Sequence, residues 1–166
     1  MGIQLRPVEK NDAHLLLRWE NDPEIVAVSP HNVPYTIDDI QLFIDNQLQS
    51  QVLNQFRYMI CLNNDPIGTL DLCDISINDK HAFVGVLIAE GKNRQKGYAK
   101  NALIKLEKYA KVRGLTHLYA WIHHNNLASR KLFESVGYKI AESRDESLLN
   151  IDDYLKAELH LKCLED

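Results

Sequence analysis

No apolar run in the 166 residues approaches the roughly 18 that a membrane span needs. The opening residues, MGIQLRPVEKND, contain no apolar stretch of the kind that marks a signal peptide. Gly2 is followed by Ile3, Gln4, Leu5 and Arg6, so the Ser or Thr of a myristoylation site is missing. Positive charge is not in excess: 19 Lys+Arg stand against 23 Asp+Glu, a net charge of −4. That argues against a nucleic-acid binder working through bulk charge. Cysteine is scarce and widely spaced. Cys61, Cys73 and Cys163 form no CxxC pair, and they read as small apolar residues in the strands of a cytoplasmic protein. The seven histidines include no i,i+4 pair and no HExxH, so no metal site is expected. There is no internal repeat, no low-complexity stretch and no linker-like shift in composition, so residues 1–166 read as a single domain.

The composition is that of a globular chain, 45% hydrophobic and 25% charged. A chain of this size buries about 70% of its unfolded surface, so its core needs no disulfide or metal. Ile3 to Arg6 alternates as a short strand. Asn11 or Asp12 caps a helix that Asn21-Asp22-Pro23 stops. Residues 24–35 read as a loop with at most one helical turn, and Thr36 with Asp39 resembles a capping box for a helix to about Gln51. Phe56–Leu62 and Ile67–Ile75 read as a hairpin around Asn63-Asn64-Asp65-Pro66. In a third strand, His81 to Ala89, residues Ala82, Val84, Val86 and Ile88 share one face while Phe83, Gly85 and Leu87 share the other. The period then changes to 3.6: Ala99, Ala102, Leu103, Leu106 and Ala110 make a helical stripe, and Gly114 follows as its C-terminal glycine. A strand at 118–122, a helix from Asn125 or Asn126 to Val136, and strands at 138–143 and 154–163 complete a mixed α/β order. The unit of strand, glycine-rich turn, helix and strand at 82–122 is a βαβ crossover, so its two strands should be parallel neighbours.

The segment Gly91 to Lys100 joins a buried strand to a helix. A helix N-terminus offers unpaired N–H groups and partial positive charge. Gly97 lets the backbone curl into a nest, and Lys92, Arg94, Lys96 and Lys100 add four cations, which suits phosphate. The Walker A pattern fails because Gly91 and Gly97 enclose five residues and Tyr98 follows; GxGxxG is absent. A solvated basic loop ending in a helix cap is the plain alternative.

Arg94-x-x-Gly97-x-Ala99 resembles the pyrophosphate loop of the GNAT acetyltransferase superfamily. The later run Asn126-Leu127-Ala128-Ser129 through Leu132-Phe133-Glu134 to Gly137-Tyr138 resembles that superfamily's second segment, in the matching order. Trp19-Glu20-Asn21-Asp22-Pro23-Glu24 resembles the ribosomal-protein and spermidine acetyltransferase branch. The resemblance spans about residues 1–163 and implies the acyl-CoA N-acyltransferase fold, a mixed central sheet of about seven strands with flanking helices. It also implies acetyl-CoA as co-substrate. The pyrophosphate would lie on the amides of Gln95, Lys96, Gly97, Tyr98, Ala99 and Lys100, next to Arg94. The pantetheine arm would pair with Val86, Leu87 and Ile88, with Asn126, Ser129 and Phe133 on its far side and Arg130 or Lys131 near the 3′-phosphate. Asn126 can equally be a plain N-cap, or both.

Acetyl transfer to an amine needs an unprotonated amine, a stabilised oxyanion, for which a backbone N–H near Leu87 is suited, and a leaving thiolate. Many relatives carry a tyrosine acid where this chain has Phe133, and a glutamate where it has Phe83. Phenylalanine donates no proton, yet a thiol of ordinary pKa about 8.5 leaves tolerably without help. Tyr98, Tyr119 and Tyr138 read as packing residues. Asp71, Asp74 and His81 are the candidate catalytic groups. The two aspartates lie on opposite faces unless a bulge intervenes. A small polyamine such as spermidine fits the acids at 20, 22, 24, 38, 39, 71 and 74. A peptide N-terminus, an amino sugar and a non-catalytic acyl-CoA-binding module are the alternatives. No nucleic-acid or membrane partner is expected, and an exposed edge near residues 153–163 could pair two copies as a homodimer.

Overall fold

Short apolar runs and alternating stretches build the strands, and periodic stripes build the helices. The computed structural model describes residues 2–27, 33–49, 54–141 and 157–164. The strands are β1 (Ile3–Pro7), β2 (Phe56–Leu62), β3 (Asp65–Ser76), β4 (His81–Ile88), β5 (His117–His123), β6 (Lys139–Ile140) and β7 (Ala157–Cys163). Among the described residues they form one sheet of seven strands in the order β1-β2-β3-β4-β5-β7-β6. All neighbours are antiparallel except β4 and β5, the expected crossover pair.

The helices are α1 (Ala13–Glu20), α2 (Pro23–Val26), α3 (Ile37–Gln49), α4 (Tyr98–Val112) and α5 (Leu127–Ser135). Asp22 caps α2 by accepting from the Glu24 N–H at 2.9 Å, so the loop expected over 24–35 opens with a helical turn. Thr36 and Asp39 bond reciprocally at the start of α3, at 2.8 and 3.2 Å. This is the expected box, with aspartate in glutamate's place. Asn63 and Asn64 both have positive φ, 51° and 73°, the left-handed turn that matches hairpin twist. β3 therefore starts at Asp65, inside the expected turn.

The sheet separates two cores. Leu70, Leu72, Val84, Leu103, Leu106, Leu118 and Phe133 pack under α4 and α5. Val8, Leu16, Trp19, Ile44 and Met59 pack under α1 and α3. Each large side chain so buried contributes about 1.5–3 kcal/mol. The alternation of β4 holds: Ala82 and Val84 join the first core, Leu87 the second.

Two expectations are corrected. The strand placed at 138–143 is limited to Lys139–Ile140 among the described residues, because Gly137 (φ 93°) closes α5 and the Tyr138 N–H donates to the Phe133 carbonyl. Residues 157–163 do not form an open edge along their whole length, since β6 covers β7 at His160 and Leu161. The part of both expectations over 142–156 lies outside the described residues.

Candidate active site

β4 and β5 pair only where His81, Ala82 and Phe83 meet His117, Leu118 and Tyr119. Beyond that point the strands splay. β4 stays bonded to β3 as far as Ile88, so Val84–Ile88 keep one edge in the sheet and turn the other to the gap. An unpaired strand edge is a template for an extended ligand.

The Gly91–Lys100 segment stands at the open end of this gap. One 3₁₀ turn, Gly91–Asn93, leads into it, and Gln95 (φ 60°) and Gly97 (φ 78°) both adopt the left-handed region. Gly97 is the N-cap of α4, and the helical ladder begins with the Asn101 N–H donating to the Gly97 carbonyl at 3.0 Å. The amides of Tyr98, Ala99 and Lys100 thus have no acceptor within the helix. A Cβ built on Gly97 meets nothing within 4 Å, so the approach to these amides is open.

The four cations do not all face that opening. Lys92 pairs with Glu90 at 2.8 Å. Arg94 turns back: its Nε donates to the Ile88 carbonyl at 3.0 Å, Nη2 to the Ala89 carbonyl at 2.9 Å, and Nη1 to Glu24 at 3.2 Å. The guanidinium fork satisfies the carbonyls at the end of β4 and fixes the loop against the splayed strand. Lys96 and Lys100 are exposed.

On α5, the Asn126 side chain accepts from the Ser129 N–H at 3.0 Å, so it is an N-cap. Phe133 is 3% exposed and meets Tyr138 edge-on at 4.9 Å. Burial, with Glu107 nearby, pushes the Tyr138 hydroxyl far above its ordinary pKa, which makes it a poor proton donor.

The α1–α3 face of the sheet holds the charged groups. Both Asp71 oxygens accept from Arg57, at 2.7 and 2.8 Å, and Arg57 also donates to Glu20. Burial opposes the Arg57 charge, but Asp71 and Glu20 outweigh it and hold the guanidinium protonated above its usual range. Asp71 is the cross-strand partner of exposed Gly85. Asp74, exposed at φ 47°, lies where the β3–β4 register shifts, so the bulge does intervene after Asp71. His81 sits at the closed end of the splay, edge-on to Phe83 and Tyr119 at 6.1 and 5.6 Å. At about 3.3 Å per residue it is roughly 20 Å along β4 from Leu87. Asp71 thus adjoins the opened part of β4, while His81 stands at the far end. Arg57 and Gly85 escaped the sequence reading. Arg57 gave one signal, a cation inside an otherwise apolar strand.

The chain belongs to the GNAT acetyltransferase family: the family described as "Acetyltransferase (GNAT) domain" matches residues 3–139. It is similar to an uncharacterised N-acetyltransferase p20 of Bacillus licheniformis, 30% identical over 161 residues, covering 93% of this chain and 85% of that one. Among solved structures it resembles RimL, a ribosomal L7/L12 α-N-protein acetyltransferase in complex with coenzyme A, with a TM-score of 0.81 at 15% identity, covering 99% of this chain and 95% of that one. It also resembles a Vibrio cholerae spermidine N-acetyltransferase in complex with CoA and spermine, with a TM-score of 0.77 at 15% identity, covering 98% and 95%. These likenesses show a shared fold. No helix among the described residues is long and apolar enough to cross a membrane. No group of three or more His, Cys, Asp or Glu among them could hold a metal ion.

Proposed function

We propose that this chain moves an acetyl group from acetyl-CoA to a primary amine, with a polyamine such as spermidine as the first candidate acceptor. The single observation that carries this reading is the juxtaposition of the splayed β4 edge with the open α4 N-terminus. A strand edge suits the amide-bearing arm of coenzyme A, and orphan amides at a helix start suit its phosphates. Bound there, acetyl-CoA supplies a thioester as the activated acyl donor.

The chain's own residues do the rest. Val86, Leu87 and Ile88 orient the arm through main-chain groups. Arg94 positions the phosphate-binding loop rather than touching phosphate. No side-chain acid occupies position 133, so the thiolate departs without that help, at a cost of up to about 10²–10⁴ in rate. The amine reaches the splay from the α1–α3 face, and water carries off its proton. Cys61, Cys73 and Cys163 are unpaired thiols, which suits the cytoplasm as the place of action.

The test is release of free thiol from acetyl-CoA over a panel of polyamines, peptide N-termini and amino sugars, with thermal stabilisation by acetyl-CoA measured alongside. Stabilisation with amine-dependent thiol release supports the enzyme. Phe133 favours a second reading, a non-catalytic acyl-CoA-binding module, which stabilisation without thiol release across the panel would select. No stabilisation counts against both.

A further inference from the structure

Once pairing stops at Phe83 and Tyr119, β5 runs on to His123 with no partner on its β4 side among the described residues. Bare strand edges tend to close on a partner. The far wall of the gap is supported from the next strand. β7 stands on the side of β5 away from β4 and stays paired to it from His117–Cys163 to His123–Ala157, the last residue of β5. Within β7, Glu158 lies opposite Ile122, whose side chain is in the core with Phe133 of α5. Cross-strand partners share a face, so Glu158 lies on the α5 side of the sheet.

Three basic side chains converge on this carboxylate. Arg130 of α5 places Nη2 3.0 Å from Oε2, and His124 of the β5–α5 turn places Nδ1 3.3 Å from Oε1. His160, 0% exposed with neither ring nitrogen hydrogen-bonded, stands with Nε2 3.5 Å from Oε2. The Glu158 and Arg130 side chains are 25% and 28% exposed, so water and salt screen their attraction only in part. Arg130 is thus committed to β7, not to the 3′-phosphate near which the family resemblance places it. Its N–H donates to the Asn126 carbonyl at 3.0 Å, which makes it part of the first turn of α5. The same turn carries Asn126 and Ser129, expected on the far side of the coenzyme arm.

We infer that Glu158 is a positioning residue for the cofactor gap. It ties the β5–α5 turn and the first turn of α5 to β7, and so holds the far wall away from β4 before acetyl-CoA arrives. The inference rests on the coenzyme site proposed above. Its physical content is pre-organisation: a gap that is open for only a fraction of the time binds more weakly by that fraction. Charge alone has the opposite sign, because a carboxylate near an anionic ligand opposes binding.

Calorimetric titration of the full chain with coenzyme A and with 3′-dephospho-coenzyme A tests this without requiring turnover. Glu158→Gln keeps the shape and removes the charge. It should weaken both ligands by about fivefold to tenfold, as an open fraction reduced by that factor requires. Arg130→Gln should do the same, and it decides the matter if the Glu158 variant fails to fold. The double variant should be no worse than either single one, because both break one tie. Tighter binding in Glu158→Gln overturns the tie. So does an Arg130→Gln loss confined to coenzyme A and absent with the dephospho form, since Arg130 then serves the 3′-phosphate. Unchanged affinity in the folded variants overturns it too. Amide exchange in the free protein separates positioning from a general loss of fold. In Glu158→Gln it should rise at residues 124–130 while β2 and β3 keep wild-type rates; a rise throughout the sheet contradicts the positioning role. A wild-type chain that binds neither ligand rejects the coenzyme site and this role with it. Binding that the variants leave unaffected rejects the role of Glu158 alone.

Discussion

Gly68 and the carbonyl of Leu87 approach so closely that a Cβ on Gly68 would stand 2.0 Å from the Leu87 oxygen. β3 and β4 can pair at this spacing only because position 68 has no side chain. The Ala89 N–H then donates to the Ile67 carbonyl at 3.0 Å and holds the end of β4 in place. Gly68→Ala must push away the segment that would line the acetyl-CoA arm. A loss of about 1–3 kcal/mol in urea unfolding is expected, together with weaker acetyl-CoA binding. An alanine variant of unchanged stability would contradict the close approach.

Gly97 has room for a side chain within the protein but not the backbone for one: φ is 78° and no atom lies within 4 Å of its built Cβ. Gly97→Val should lose about 1–2 kcal/mol of stability to left-handed strain. Its acetyl-CoA affinity should fall by at least about tenfold, because the side chain stands where phosphate approaches the amides. Calorimetry on the folded variant checks this, and unchanged affinity removes the loop from the site.

Phe133 lies on α5, 3% exposed against Tyr138, at the position where the family resemblance implies a tyrosine acid. Phe133→Tyr should leave turnover equal or raise it, with an upper bound near the 10²–10⁴-fold that a general acid is worth, roughly. Steady-state thiol release is the readout. Abolished turnover with acetyl-CoA binding intact would mean that the ring itself is needed there.

The acid limb of stability should depend on Asp12. This carboxylate is buried, which alone would raise its pKa. The bidentate bond from Arg6, at 2.7 and 2.8 Å, and the Glu9 N–H at 2.8 Å outweigh burial and hold it below its ordinary value of 3.8. The folded state therefore binds the Asp12 proton less readily than the unfolded chain. Its contribution is complete above the ordinary carboxylate pKa and is lost as pH falls below it. Asp12→Asn should be less stable at neutral pH and show a flatter decline on acidification. A parallel acid limb in wild type and variant would contradict this.

Elements with a strict local signal were legible in the sequence. β2 covers the apolar run Phe56–Leu62, the Thr36–Asp39 box opens α3, and Gly114 at φ 77° follows the end of α4. The site was legible only in part. Sequence could mark the Gly97 turn, because a glycine before a helical stripe has a local meaning. It could not show which way Arg94 points, since that depends on the Ile88 and Ala89 carbonyls left bare by the splay. The Arg57–Asp71 pair was hidden because the two residues lie 14 apart and meet only through the β2–β3 register. The bulge at Asp74 was foreseen only as an alternative: an extra residue against β4 has no compositional mark when it is not glycine.

Amide hydrogen exchange with and without acetyl-CoA tests the site most directly. Exchange should slow at Gln95–Lys100, where the loop amides gain phosphate acceptors, and at Val86–Ile88, where the free edge gains a partner. Acetyl-CoA that binds and slows exchange elsewhere, with both segments unchanged, would contradict the assignment.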